Sequence, residues 1–194
     1  MNLLRCFLAV EVPPTIQDAI ETATQSSRAK LGTPLMRWVS PRNVHLTLKF
    51  LGDTAPSSVD QIAAALMAEV RQYKPFVVQV GGFGAFPSNR KPRVIWVGIS
   101  APPILASLQH ELDVATARLG YGSEERGFSP HLTIGRVRQN LAAADTQRIR
   151  DELEHTVVGE LGWFSVDAVH LFRSELQSSG SVYNKLFTAP LANA

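Results

Sequence analysis

The same short motif occurs twice in this chain, once in each half. It is His45-Leu46-Thr47-Leu48 in the first half and His131-Leu132-Thr133-Ile134 in the second. Residues i and i+2 of a β-strand point to the same face, so each motif would present an imidazole and a hydroxyl together and turn its apolar residues into a core. Two such strands across a cleft would surround one anion with two imidazoles and two hydroxyls.

These groups suit the hydrolysis of a phosphodiester or a cyclic phosphate. A neutral imidazole takes a proton from water and a charged one donates a proton to the departing oxygen, and histidine can adopt both states near neutral pH. The threonine hydroxyls would donate to the non-bridging phosphate oxygens and stabilise the pentacoordinate state. The scheme needs no metal or other cofactor. A zinc site is the disfavoured alternative, because a catalytic zinc normally has three protein ligands and no further ligand cluster accompanies the motifs.

Other residues could contribute to such a site. Arg136 follows His131 by five positions, an odd offset that places it on the opposite strand face unless the strand bulges. It is either an exposed strand-end arginine or a phosphate or ribose contact. His110 is predicted at the surface, His155 is predicted to cap an acidic helix end, and His170 is either a cleft residue or an exposed strand residue. Aromatic residues near predicted loops or strand ends would stack on a base or pack in the core; they are Phe83, Phe86, Trp38, Phe128 and Tyr183.

Composition limits the class of protein. With 194 residues, 45% hydrophobic and 19% charged, residues 1–194 are expected to form one ordinary globular domain. The net charge is only +2, so a local basic stretch at 90–93, with Arg126 and Arg138 beyond it, fits a modest anionic substrate better than a long duplex. The single cysteine, Cys6, excludes an internal disulfide and a cysteine-based zinc site, and is expected to be buried.

Targeting and membrane segments are not expected. No apolar stretch approaches the roughly 18 residues of a transmembrane helix. The apolar N-terminal segment is interpreted as a first strand rather than a signal peptide, because it lacks a basic n-region and a small-residue cleavage site. The expected compartment is therefore the cytoplasm.

The hydrophobic periodicity predicts alternating strands and helices. Strands are predicted at 3–12, 36–39, 44–51, 76–80, 93–100, 130–138, 164–172 and 182–187, with a turn around Ser178-Ser179-Gly180. Helices are predicted at 13–29, 57–71, 102–119 and 142–155. A tight turn is predicted at Gly81-Gly82-Phe83-Gly84, which lacks the Lys-Ser/Thr of a phosphate-binding loop. The fold class is α+β, with two sheets and helices on the outside.

The chain resembles the two-histidine (2H) phosphoesterases, and most closely the bacterial and archaeal RNA 2′,3′-cyclic phosphodiesterases, also called 2′-5′ RNA ligases. The resemblance extends beyond the motifs and follows the order of the family. It covers 5–10, 37–39, 43–53, 86–87, 92–98 and 128–136, with Ser174 and Tyr183 near the C-terminus. The segments 57–74 and 142–161 match only in pattern.

The resemblance implies a bilobal fold of antiparallel-rich sheets, related by a pseudo-two-fold axis, with the active-site cleft between the lobes. It also implies hydrolysis of RNA 2′,3′-cyclic phosphate ends to 2′-phosphates. By the same resemblance, His45 is the proton donor to the leaving 3′ oxygen and His131 is the base that activates water. Thr47 and Thr133 would bind the phosphate, and Arg136 matches a phosphate-contacting arginine.

Alternative functions remain open at this point. One is RNA ligation through a 2′-5′ linkage, as a reverse reaction of the same site. Another is hydrolysis of small cyclic nucleotides or of ADP-ribose cyclic phosphate. A third is an RNA-end-binding module without turnover, which the intact motifs disfavour. The expected partner is RNA with a cyclic phosphate end, such as a tRNA fragment, and the protein is expected to be a monomer that binds no membrane.

Overall fold

The computed structural model describes residues 3–124, 127–177 and 180–192. Arg126 and the predicted turn residues Ser178 and Ser179 lie outside these ranges. Within them the chain forms nine strands and four α-helices, and no helix combines the length and apolar character that crossing a bilayer demands. In chain order the elements are β1 (Leu4–Glu11), α1 (Pro14–Leu35), β2 (Met36–Trp38), β3 (His45–Thr54), α2 (Val59–Val70), β4 (Phe76–Phe86), β5 (Val94–Ser100), α3 (Pro103–Ala117), β6 (His131–Val137), α4 (Ala143–His155), β7 (Glu160–Val166), β8 (Ala168–Gln177) and β9 (Gly180–Pro190).

The strands pair in one antiparallel sheet, in the order β7-β4-β5-β6-β3-β1-β8-β9, with β2 paired to β6. The two motif strands, β3 and β6, meet in the middle through a single residue pair, Leu46 with Leu132. We call β3, β1, β8 and β9 the first half, and β6, β5, β4 and β7 the second half. The predicted α+β class is confirmed. The two expected sheets are joined edge to edge, because the motif strands are each other's neighbours.

The order of elements repeats between the halves. The segment β1-α1-β3 and the segment β5-α3-β6 each place a motif strand antiparallel to the strand that precedes the helix. Helices α2 and α3 pack against the first half, and α1 and α4 pack against the second. The helices cover one face of each half. The opposite face, which we call the open face, carries the polar residues of both motifs.

The core lies between the sheet and its helices. Strand residues Leu8, Leu46 and Leu132 are fully buried there, together with Leu105 and Leu112 of α3. Burying a leucine side chain contributes about 1.5–3 kcal/mol of transfer free energy. The apolar positions of both motifs therefore anchor their strands to the helices, which fixes the opposite face for the polar positions.

The predicted tight turn at Gly81-Gly82-Phe83-Gly84 is wrong, because β4 continues through these residues to Phe86. The register of β4 against β5 shifts by one residue between Val80 and Phe83, so the segment holds a β-bulge instead of a turn. Gly84 is required by packing, since a Cβ there would lie 2.6 Å from the Trp96 ring.

Two further boundaries differ from the sequence prediction. Gly52, expected to end its strand, lies inside β3 with a φ of 71°, and the β1–β3 register shifts beside it between Cys6 and Phe7. The predicted strand at 164–172 is two strands, β7 and β8, which separate at Asp167 and join opposite halves of the sheet. A continuous apolar run cannot reveal such a break, because both strands contribute to the same core. Gly32 interrupts α1 with a φ of 59°, near its predicted end.

Candidate active site

The pairing of Leu46 with Leu132 places the two motifs side by side. Extending this antiparallel register by one residue sets His45 opposite Thr133 and Thr47 opposite His131. This register would bring each imidazole beside the hydroxyl of the other motif, and the charge of His131 acts on the pKa of His45. The four polar residues are partly exposed on the open face, whereas the apolar residues of the motifs are buried, as the strand alternation predicts.

Both imidazoles are oriented in the same way. The Nδ1 of His45 lies 2.7 Å from the carbonyl oxygen of Asn43, and the Nδ1 of His131 lies 2.8 Å from that of Ser129. A carbonyl oxygen can only accept, so Nδ1 carries the hydrogen in both rings. The Asn43 amide in turn donates to the Ser181 carbonyl oxygen at 2.7 Å. Nε2 is thus the atom of each ring that remains to exchange a proton.

Burial lowers the pKa of both histidines. For His45 the loss of solvation has the largest effect; the carbonyl of Asn43 opposes it, and the charges of Arg136 and His131 lower the pKa further. For His131 the loss of solvation again comes first, opposed by the Ser129 carbonyl and reinforced by Arg136. Both rings are therefore neutral at neutral pH in the free protein. A phosphate anion between them would raise both pKa values again.

Arg136 lies on the same face as His131, contrary to simple alternation. In the β5–β6 ladder Trp96 pairs with Thr133 and Ile95 pairs with Gly135, which leaves Ile134 as an extra residue. This bulge shifts the alternation by one position and turns Arg136 onto the open face. Its positive charge lowers the pKa of both motif histidines, so its guanidinium lies within electrostatic reach of both rings.

Strand β3 contains the matching bulge. Ala9 pairs with Thr47 and Leu8 pairs with Lys49, so Leu48 is the extra residue. Phe50, five positions after His45, is thereby turned onto the open face with 60% of its surface exposed. The residue types and spacing of the motifs did not point to Phe50. The signal that could have found it is the equal offset of Phe50 and Arg136 from their histidines.

Lys49 is turned the other way by the same bulge. Its ammonium is buried against α3, where it donates to the Asp113 carboxylate and to the Gly122 carbonyl oxygen. The Asp113 carboxylate also accepts the Glu124 backbone N–H at 3.1 Å. The pKa of Asp113 is lowered, because these hydrogen bonds and the Lys49 charge outweigh its partial burial.

Aromatic rings pack around both imidazoles, and more of the rings in the described ranges lie near His45. Its ring stacks on Phe7 at 4.8 Å and meets the edge of Tyr183 at 5.0 Å between centroids. The His131 ring meets the edge of Phe86 at 4.8 Å and is the more exposed of the two imidazoles. Tyr183 and Phe86 were candidates for base stacking, and both contact a motif histidine. Trp38, Phe83 and Phe128 instead pack against the core.

A groove of about 520 Å³ opens beside His45. Its lining includes Glu11, Arg42, His170 and Tyr183. His170, whose sequence context allowed a cleft or an exposed position, is a buried groove residue. No group of three or more His, Cys, Asp or Glu side chains that could hold a metal ion occurs in the described ranges.

The remaining candidates lie away from the motifs. His110 is exposed on α3, as predicted. His155 lies in the last turn of α4, where the sequence places it as a cap, with its Nδ1 2.6 Å from the Asp151 carbonyl oxygen. Cys6 is buried in the core, as predicted, and the loss of solvation raises the pKa of its thiol despite opposing effects of Thr54 and Arg173. An inert thiol follows from both observations.

The chain is similar to known proteins over most of its length. The family model described as the 2′-5′ RNA ligase superfamily matches residues 12–177. A Methanothermobacter thermautotrophicus protein named RNA 2′,3′-cyclic phosphodiesterase is 32% identical over 94% of this chain and 96% of its own length. A crystal structure of a Thermus thermophilus protein matches with a TM-score of 0.79 and 25% identity, over 96% of this chain and 97% of that one. E. coli LigT complexed with 3′-AMP matches with a TM-score of 0.76 and 24% identity, over 99% and 100% of the two chains.

Proposed function

This chain belongs to the 2′-5′ RNA ligase superfamily, and we propose that it hydrolyses the 2′,3′-cyclic phosphate at the end of an RNA to a 2′-phosphate. The observation that carries the proposal is the pair of imidazoles on adjacent strands, each tied through Nδ1 to a backbone carbonyl. Such a pair leaves two Nε2 atoms that can act on opposite sides of one phosphorus atom. The name of the Methanothermobacter relative supports the same substrate.

The reaction uses the two imidazoles as base and acid. Nε2 of His131 removes a proton from water, the water oxygen bonds to phosphorus, and the bond from phosphorus to the ribose 3′ oxygen breaks. Protonated His45 gives its Nε2 proton to that oxygen. Thr47 and Thr133 donate hydrogen bonds to the non-bridging oxygens, and Arg136 stabilises their negative charge. Exchange of one proton with solvent at each ring restores the starting state.

The environments of the two rings support this division of roles. His131 is the more exposed ring, so water reaches it, whereas His45 is enclosed by Phe7 and Tyr183. His45 also adjoins the groove, which offers space for the ribose that carries the leaving oxygen. Because imidazoles carry both protons, the scheme requires no metal.

The same site would also support ligation. With an RNA 5′-hydroxyl in the place of water, attack on the cyclic phosphate would form a 2′-5′ linkage. Water is in large excess in dilute solution, so hydrolysis dominates and joined product is a minor outcome. We propose RNA fragments such as tRNA halves as substrates for both reactions.

The direct test is incubation with an oligonucleotide that ends in a 2′,3′-cyclic phosphate, with and without EDTA. We expect a 2′-phosphate in both conditions. A 3′-phosphate would reverse the choice of leaving oxygen, and loss of activity in EDTA that zinc restores would contradict the metal-free scheme.

The same substrates test the alternative functions. Tight binding without turnover would favour an RNA-end-binding module. Competition by small cyclic nucleotides or ADP-ribose cyclic phosphate tests for a smaller physiological substrate. His110→Ala serves as the control variant, because His110 is exposed away from the motifs.

A further inference from the structure

We propose that the groove beside His45 binds the base of the terminal nucleoside, and that the carboxylate of Glu11 selects bases with an exocyclic amino group over uracil. This inference rests on the proposed function, because it takes the ribose of the cyclic phosphate to lie on the His45 side. Glu11 is the cross-strand partner of His45 in the β1–β3 ladder, so both side chains emerge on the open face. In the second half the partner of His131 is Gly98, which has no side chain to offer.

The groove adjoins the proposed acid and not the proposed base. Among the described residues its lining includes His45 and none of the second motif. Since His45 protonates the 3′ oxygen, the ribose bearing that oxygen must approach this side of the cleft. The base attached to the same ribose is then the substrate group nearest the groove.

The carboxylate of Glu11 is fixed on one oxygen only. Lys185 Nζ donates to its Oε2 at 2.7 Å, and His170 Nε2 lies 3.4 Å from the same oxygen. Nδ1 of His170 is in turn 3.0 Å from Thr188 Oγ1. Within the described ranges Oε1 of Glu11 has no hydrogen-bond partner, and 53% of the side chain is exposed. The groove therefore presents an oriented acceptor that is still available.

The other charges of the groove favour a base edge over a phosphate. Arg42 is paired with Asp18 at 2.8 Å and donates to the Gln17 side chain at 3.1 Å, while Lys185 is engaged by Glu11. Asp167 adds a second carboxylate to the lining. Because the carboxylates of the groove can still accept hydrogen bonds and its cations are already paired, the groove repels a phosphate and attracts N–H donors. Cytosine presents an amino group where uracil presents a carbonyl oxygen, and a carboxylate accepts from the former and repels the latter.

The test compares two oligonucleotides that differ only in a terminal cytidine or uridine 2′,3′-cyclic phosphate. For the unmodified protein we expect kcat/KM to be about 5- to 100-fold higher with cytidine, the range that a discriminating contact to a base supplies. Glu11→Gln should bring this ratio close to one, because the amide oxygen accepts from the cytosine amino group and the amide NH2 donates to the uracil carbonyl oxygen. The matched control is Glu111→Gln, an exposed position on α3 outside the groove lining, which should keep the ratio. Thermal unfolding verifies that both variants are folded.

Each remaining outcome decides the proposal. Equal hydrolysis of both substrates would overturn the inference and leave the proposed function intact. A ratio that survives in Glu11→Gln would overturn the assignment to Glu11. If neither substrate is hydrolysed, the proposed function fails, and equal dissociation constants for cytidine and uridine 2′-phosphates would then overturn the base selection separately.

Discussion

Five positions beyond its motif histidine, the first half has Phe50 and the second half has Arg136. The backbone leading to both is the same, with one extra residue that turns the side chain onto the open face. Next to the histidines the halves differ again, with Glu11 beside His45 and Gly98 beside His131. The repeated backbone supplies two equivalent imidazoles, and the unequal neighbours give them different surroundings. Symmetry thus provides the geometry, and the departures from it distinguish the surroundings of the two proposed roles.

The largest effect should come from removing either imidazole. His45→Ala and His131→Ala should each lower kcat by about 100- to 10,000-fold, the usual contribution of general acid or base catalysis. A phosphodiester with a 4-nitrophenolate leaving group distinguishes the two variants, because 4-nitrophenolate departs without being protonated. We expect this substrate to restore much of the activity of His45→Ala and none of that of His131→Ala. Equal rescue, or rescue in the reverse order, would contradict the assigned roles.

Removing the positive charge of Arg136 in the second half should have the next largest effect. Arg136→Met is expected to lower kcat/KM by about 100-fold, because a hydrogen bond from a charged donor to the phosphate contributes about 1.5–3 kcal/mol. Arg138→Met is the matched control, since the Arg138 guanidinium donates to the Thr33 carbonyl oxygen, outside the cleft. Similar losses in both variants would show that Arg136 acts through stability rather than on the substrate.

Phe50→Ala tests the corresponding position of the first half. The exposed ring offers a stacking surface beside the site, and stacking of a base on an aromatic side chain contributes about 1–3 kcal/mol. We therefore expect KM for an oligonucleotide to rise about 10-fold with little change in kcat. Phe50→Leu distinguishes stacking from simple apolar contact, because it keeps much of the side-chain volume without the flat ring. Unchanged KM in Phe50→Ala would remove this position from the binding surface.

The pH dependence should give the smallest effect. In the free protein burial lowers the pKa of both histidines. The base must be neutral, so kcat/KM rises as pH increases through the pKa of His131; the acid must be protonated, so kcat/KM falls above the pKa of His45. The maximum should lie below about pH 6.5, the ordinary pKa of histidine. Arg136→Met should move it to higher pH, since the guanidinium lowers both pKa values; a shift to lower pH would contradict this electrostatic account.

The sequence predicts the features that depend on local alternation. It does not predict the features that are set by pairing with a neighbouring strand. The facing of the motif residues, the order of helices and strands, and the burial of Cys6 follow from residue types and spacing. The bulges at Leu48 and Ile134 do not, because they are defined by register against another strand. This is why Phe50 was missed and why simple alternation places Arg136 on the opposite face from His131. The glycines of β4 were interpreted as a turn, although packing against Trp96 explains Gly84.

The hydrogen bonds from each histidine to the carbonyl two residues before it also set how tolerant the site is of its substrate. These bonds are contained within each motif's own segment, and among the described residues each Nδ1 bonds only to that carbonyl oxygen. Strands β3 and β6 pair at a single position, Leu46 with Leu132. The proton on each Nδ1 is therefore set within its own strand segment, so a change in the width of the cleft would not reset the tautomer of either ring.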